Sequence, residues 1–108
     1  MSTLYTFGQD SAADITAVLA SNLRQRRLEK GLSREALSLM SGVPAPTIAK
    51  FEQKHSISLA SFVALAQALG YANDIKALLS EPVYHTMAEL ETIKRNRERK
   101  RGRNEFGE

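Results

Sequence analysis

Two charged residues, Arg27 and Glu52, fall at positions where the sequence predicts apolar helix faces. A series of apolar residues at four-residue spacing, which includes Leu19 and Leu23, continues at Arg27, and Ile48 is followed at the same spacing by Glu52. Because a lone buried charge is very costly, each side chain needs a partner of opposite charge. We therefore predict an ion pair between them, with independent extension of each long side chain to solvent as the alternative.

Side chains suited to catalysis or metal binding are sparse in this chain. It contains no cysteine, and its two histidines, His55 and His85, are 30 positions apart. That separation does not match the spacing of metal ligands, and neither a glycine-rich phosphate loop nor a nucleophile elbow is present. Glu89 and Glu91 fall on a predicted exposed helix. We expect no enzymatic activity, no metal and no cofactor.

Residues 34–53 predict two short helices, at about 34–41 and 45–53, joined by a tight turn. Gly42 falls where the chain must reverse, a place that favours positive φ, and Ser33 can cap the first helix. Pro44 and Pro46 fall in the first turn of the second helix, where a missing N–H costs little. The apolar residues of this unit are Leu37, Val43, Ile48 and Phe51. A helix held on such a turn can enter the major groove of DNA, which makes DNA binding the favoured function.

Other segments predict further helices around this unit. The first runs from a cap at Asp10 or Ser11 to about Lys30, and its predicted buried stripe is Ile15, Leu19 and Leu23. A helix at about 59–69 follows the cap Ser58. Its predicted buried residues are Leu59, Phe62, Leu65, Ala66 and Leu69. A short helix begins at Asn73 or Asp74 and runs through Leu79.

A last helix is predicted to open at Thr86, where Thr86 and Glu89 have capping-box spacing, and to fray before Gly102. The predicted class is all-α, with five helices in one domain and a short C-terminal helical and basic extension. We expect a flexible arm at residues 1–10, or a short strand in that arm, a DNA-binding domain at 11–80, and the extension at 81–108.

Charge is distributed unevenly along the 108 residues, whose formal net charge is +3. Residues 94–108 hold seven basic and three acidic residues, or +4, so the rest of the chain is close to neutral at −1. No basic residue precedes Arg24, and no apolar run approaches the roughly 18 residues that span a bilayer. The absence of cysteine also suits a reducing compartment. We expect a cytoplasmic protein, associated with the nucleoid.

The pattern resembles the phage-repressor (Cro-type, XRE) helix-turn-helix family over roughly residues 19–79. The segments that carry the resemblance are Leu23-Arg24…Arg27…Gly31-Leu32-Ser33, Glu35-Ala36-Leu37…Ser41-Gly42-Val43, Thr47-Ile48-Ala49-Lys50-Phe51-Glu52 and Leu65-Ala66-Gln67-Ala68-Leu69-Gly70. These motifs identify the fold specifically, but they indicate little about which DNA sequence is recognised. The family pairs an arginine of its first helix with a glutamate at the positions of Arg27 and Glu52, which agrees with the pairing inferred from periodicity.

The resemblance also implies which residues contact DNA. Arg34 occupies a position near a phosphate and a base edge, while Lys50 is the one long donor suited to guanine and the Thr47 methyl suits thymine. The serine, arginine and glutamine side chains usual at the base-reading positions are missing, so we expect few direct base hydrogen bonds and more readout of DNA shape. The expected contacts are Ser33, Arg34, Pro44, Ala45, Pro46, Thr47, Lys50, Lys54, His55 and Ser56. For each, the alternative is an ordinary solvated surface residue.

Family members commonly dimerise, so that two recognition helices bind the two halves of a palindromic operator. The expected dimer surface is Tyr71, Ile75, Leu78 and Leu79, which could instead be core residues. The resemblance favours a transcriptional repressor that controls its own gene.

The basic run at 94–103 has three interpretations: a solvated end, added phosphate contacts, or a segment that folds against an acidic protein. The third connects to an alternative function. Thr47-Ile48…Phe51-Glu52, together with a tail of one short helix plus basic residues, resembles HipB-like antitoxins. This resemblance implies that the protein binds and neutralises a HipA-like kinase toxin encoded by an adjacent gene, and that the complex represses the operon. A further alternative is a protein-interaction module that does not bind DNA.

Overall fold

Six α-helices follow one another in this computed structural model, which describes residues 10–107 and the side chains of residues 10–99. They are α1 (Ala12–Glu29), α2 (Arg34–Ser41), α3 (Ala45–Lys54), α4 (Leu59–Ala68), α5 (Ala72–Ala77) and α6 (Met87–Gly107). No strand occurs within residues 10–107, which confirms the predicted all-α class. An arm was expected at residues 1–10, with a short strand as the alternative. Residues 1–9 lie outside the described part of the chain.

Local sequence signals set where the first helices begin and end. Ser11, Ser33 and Ser58 each accept a hydrogen bond from the backbone N–H three residues later, at 3.0–3.1 Å, as N-cap residues do. Gly42 ends α2 in the left-handed conformation, with φ of 81°, and donates its N–H to the Ser38 carbonyl at 2.8 Å. The turn between α2 and α3 therefore has the position and conformation predicted for it.

The hydrophobic core lies between α2, α3 and α4, and the second half of α1 packs against α3. Its buried apolar residues are Ala20, Leu23, Leu37, Val43, Ile48, Phe51, Leu65, Ala66 and Leu69. The rings of Phe51 and Phe62 meet edge to face, with centroids 5.7 Å apart. These contacts fix the inner side of α3, so its opposite side is presented on a rigid support.

The predicted buried stripe of α1 is wrong in its first half. Ile15 and Leu19 are 50% and 39% exposed, whereas Ala20, Leu23 and Arg27 are buried. Among the described residues, the helix buries only its second half, and the apolar residues of its first two turns do not enter the core. In α4, Leu59 is likewise mostly exposed, since it lies in the first turn and burial begins one turn later.

The chain divides into two units, one ending at Ile75 and the other beginning at Lys76. In the second unit, the Thr86 hydroxyl accepts from the Glu89 N–H at 3.1 Å, and the Glu89 carboxylate accepts from the His85 N–H at 2.6 Å. These bonds lie at the N-terminus of α6, and the helix continues to Gly107. The predicted fraying before residue 102 is wrong, because arginine, lysine and glutamate are strong helix formers. The domain boundary expected at residue 80 stays a prediction.

Candidate DNA interface

One side of α3 is exposed and the other is buried. Ile48 and Phe51 point into the core, whereas Pro46, Lys50 and Gln53 are exposed. The exposed residues are spaced four and three positions apart, so they share one helix face. This face, which we call the outer face of α3, is where a ligand of the helix would bind.

The first turn of α3 is poor in hydrogen-bonding side chains. Pro44 is the N-cap residue, and its carbonyl accepts from the N–H groups of Thr47 and Ile48 at 2.9 and 3.1 Å. Pro44 and Pro46 are exposed, and Ala45 and Thr47 are half-buried. This end of the helix therefore offers mainly apolar surface, with the Thr47 hydroxyl as its one side-chain hydrogen-bonding group.

Glu52 lies on the inner side of α3 at the centre of a charged network. The Nε and NH2 groups of Arg27 donate to the two carboxylate oxygens at 2.8 and 2.9 Å, a bidentate geometry. The NH1 group of Arg27 donates to the Leu32 carbonyl at 2.8 Å. The side chains of Arg27 and Glu52 are only 6% and 1% exposed. The network therefore joins α1 to the C-terminal part of α3 inside the molecule.

Arg34 is the third member of this network. Its Nε donates to Glu52 Oε1 at 3.1 Å, and its side chain is 33% exposed. The family resemblance implied a DNA contact for Arg34, and its contact with Glu52 was not predicted. Eighteen positions separate the two residues, and no helical period connects them. The contact uses one of five N–H donors of the guanidinium, so the remaining donors are still able to bind a phosphate.

The pKa of Glu52 reflects two opposed effects. Burial raises the pKa of this carboxyl, and the hydrogen bonds and positive charges of Arg27 and Arg34 lower it. The second effect is the larger, so that the pKa of Glu52 lies below its ordinary value. Glu52 is therefore a carboxylate near neutral pH, and it carries the charge that Arg27 needs.

Beyond α3, the chain turns sharply at His55. This residue adopts a left-handed conformation with φ of 65°, and its N–H donates to the Phe51 carbonyl at 2.8 Å. Lys54, His55 and Ser56 are all exposed. Ser33 is also exposed, with its hydroxyl oxygen engaged in capping α2. All four stay candidates for phosphate contact.

Gln53 is a candidate that was not predicted from the sequence. It is exposed on the outer face of α3, three residues after Lys50 and seven after Pro46. Its amide can donate and accept, as a residue that contacts adenine must do. The signal was available, since Gln53 follows Lys50 at helical spacing.

The four residues expected to form a dimer surface fall in different units. Tyr71 and Ile75 belong to the first unit, where Tyr71 is exposed and Ile75 half-buried. Leu78 and Leu79 belong to the second unit and are exposed. The leucines are thus not core residues within residues 10–99. A shared dimer surface stays a prediction.

Among the residues whose side chains are described, no group of three or more His, Cys, Asp or Glu side chains is arranged to hold a metal ion. In the described part of the chain, no helix combines the length and the apolar character needed to cross a membrane.

Comparison with known proteins gives one family match. The family model HTH_3, described as Helix-turn-helix, matches residues 23–72, from the buried half of α1 to the start of α5. This segment is similar to the helix-turn-helix family. The helix-turn-helix segment contains the turn at Gly42, the outer face of α3 and the Arg27–Glu52–Arg34 network. At the level of protein class, the match supports a transcription regulator that binds double-stranded DNA. No curated protein and no solved structure matches the chain.

Proposed function

We propose that the protein is a sequence-specific repressor of its own gene, which binds a palindromic operator as a dimer through α3. The observation that carries this proposal is the two-sided environment of α3. Its inner side is held by the core and by Glu52, and its outer face presents Pro46, Lys50 and Gln53 to solvent. A rigidly supported, exposed helix is the element that a major groove accepts.

The chemistry of the outer face defines what it would recognise. Lys50 is a long donor suited to guanine O6 and N7, and Gln53 suits adenine. The apolar surface of Pro46 and the Thr47 methyl suits thymine methyl groups. Because the first turn of α3 carries mainly apolar side chains, and long polar side chains follow only at Lys50, Gln53 and Lys54, much of the sequence preference would come from DNA shape.

Phosphate contacts would orient the helix in the groove. Arg34 lies at the start of α2, held by Glu52, whereas Lys54 ends α3 and is followed by His55 and Ser56. Such contacts fix the position of a protein on the duplex without distinguishing bases. One recognition helix covers one half-site, so a dimer with its two helices about one turn of DNA apart would bind the full operator.

The test is fluorescence anisotropy with a labelled duplex from immediately upstream of the gene and a scrambled duplex of equal composition, at two salt concentrations. The proposal predicts tighter binding to the upstream duplex, with a preference that persists at the higher salt concentration. Equal binding to both duplexes that disappears in salt would show that only charge is recognised, and it would contradict an autorepressor.

A second candidate function is an antitoxin that also binds a HipA-like kinase toxin encoded by an adjacent gene. The observation that favours a protein partner is a group of exposed apolar side chains in the second unit, Leu78, Leu79, Val83, Tyr84 and Met87. Co-expression with the product of the adjacent gene tests this candidate. A stable complex that includes a kinase would support it, and separate elution of the two proteins would contradict it.

A further inference from the structure

We infer that α6 is a second DNA-binding element, which contacts phosphates and does not read sequence. The inference rests on the proposed function in taking double-stranded DNA as the ligand of this protein. The run at 94–103 holds seven basic residues against one acidic residue, and α6 carries all of it. Its basic residues with described side chains are all exposed: Lys94, Arg95, Arg97 and Arg99.

The described basic side chains of α6 form no ion pair, although Glu91 and Glu98 lie three or four positions from Lys94 and Arg95. Every ion pair among residues 10–99 lies between residues 26 and 52. In α6, Arg99 donates to the amide oxygen of Asn96 at 3.2 Å, and this partner carries no charge. Arg95 and Arg99 are also four positions apart, where like charges destabilise an isolated helix. A bound polyanion would remove that repulsion.

The distribution of charge around α6 favours DNA over an acidic protein surface. Each helical residue is rotated by about 100° from the one before it. Lys94, Arg95, Arg97 and Arg99 therefore project in several directions and form no single stripe. The apolar residues Leu90 and Ile93, which are half-buried, precede the basic run, so the run has no apolar stripe of its own. A helix of this kind suits phosphates that lie on more than one side of it, as they do along a groove.

The experiment uses the full chain and a scrambled duplex, because phosphate contacts do not depend on sequence. The test variant combines Arg95→Gln, Arg97→Gln and Arg99→Gln, since glutamine keeps helix propensity. The control variant combines Arg24→Gln, Lys30→Gln and Lys76→Gln, three exposed positions outside α6. Both variants lower the net charge by the same amount, and circular dichroism verifies that helix content is unchanged.

Anisotropy titrations over a range of salt concentrations give the slope of log K against log salt. That slope changes by about 0.9 for each phosphate that the protein no longer neutralises, so the test variant should flatten it by up to about 2.7. The control variant should change it much less. An unchanged slope in the test variant, or an equal change in the control, overturns the inference. The remaining interpretations of α6 are then a segment that binds an acidic protein and a solvated helix.

Repeating the titrations with the upstream duplex separates this inference from the proposed function. If the native protein prefers the upstream duplex and the test variant keeps both preference and slope, the inference about α6 fails alone. If the native protein shows no preference and the test variant still flattens the slope, autorepression fails and α6 stands as a DNA-binding element.

Discussion

Arg34 donates its Nε–H to Oε1 of Glu52 at 3.1 Å, which joins the first residue of α2 to the C-terminal part of α3. The same oxygen accepts from Arg27, so one buried carboxylate organises arginines from two other helices. Arg34 is also the residue of this network whose side chain is partly exposed. The contact therefore couples the support of α3 to a candidate phosphate ligand.

Removal of the Glu52 carboxylate should destabilise the fold strongly. In Glu52→Ala, Arg27 keeps its buried charge and loses both hydrogen bonds to the carboxylate. Breaking a buried pair by removing one partner costs about 3–5 kcal/mol. Urea unfolding at neutral pH measures the change in the free energy of unfolding.

The matched control is the exposed pair of α1, in which Arg26 NH2 lies 2.6 Å from Glu29 Oε2. Glu29→Ala should change the free energy of unfolding by less than about 0.5 kcal/mol, because exposed pairs contribute little. A similar small change in Glu52→Ala would show that the inner pair does not stabilise α3.

The stability of the protein should fall in acid partly through Glu52. Burial raises the pKa of this carboxyl, but the hydrogen bonds from Arg27 and Arg34 lower it below 4.5 overall. A carboxyl with a lowered folded-state pKa stabilises the fold above its unfolded pKa, and this contribution is lost as the pH falls through the folded pKa. In Glu52→Gln that contribution is absent at every pH.

Unfolding free energies of the native protein and Glu52→Gln, measured from about pH 7 to about pH 3, check this prediction. The difference between the two proteins should be constant at the upper end and shrink below about pH 4.5. A difference that stays constant through the acid range would contradict the lowered pKa of Glu52.

Gly42→Ala should destabilise the turn between α2 and α3 through the backbone alone. Gly42 has φ of 81°, and a Cβ added there would meet no atom within 4 Å. The left-handed conformation costs a residue with a side chain about 1–2 kcal/mol. Thermal unfolding should show that loss, and Gly42→Asn should lose less, because asparagine tolerates this conformation better. Equal stability of the native protein and Gly42→Ala would contradict the conformation assigned to the turn.

Substitutions along α1 should separate its packed half from its exposed half. Leu23 is 5% exposed, so Leu23→Ala should cost about 2–5 kcal/mol. Ile15 is half exposed, so Ile15→Ala should stay within about 0.5 kcal/mol. Urea unfolding of both variants checks the contrast. Comparable losses at the two positions would indicate that the first half of α1 is packed in solution.

Local signals made the centre of the fold predictable from sequence. Ser33 and Gly42 act on the chain within a few residues, so they set the bounds of α2 without reference to the rest of the molecule. The four-residue spacing of apolar residues also indicated an ion pair between Arg27 and Glu52, because each charged residue continues an apolar series that is expected to be buried.

Tertiary placement accounts for what the sequence did not reveal. Ile15 has the spacing of a buried helix residue, but spacing alone does not show where along a helix the packing against other helices ends. Leu59 is misassigned for the same reason. The contact of Arg34 with Glu52 depends on how α2 meets α3, which no local pattern encodes.

The most direct test of the central claim, that the outer face of α3 recognises DNA sequence, is binding-site selection from a random duplex library. The native protein should enrich an inverted repeat, and Lys50→Ala should relax the preference at one base pair of each half-site, since a good bidentate contact contributes about 1–3 kcal/mol of discrimination. Lys30→Ala, which removes an exposed lysine at the end of α1, should enrich the native site. Enrichment of no sequence by the native protein, or of the same site by Lys50→Ala, would contradict the role assigned to this face.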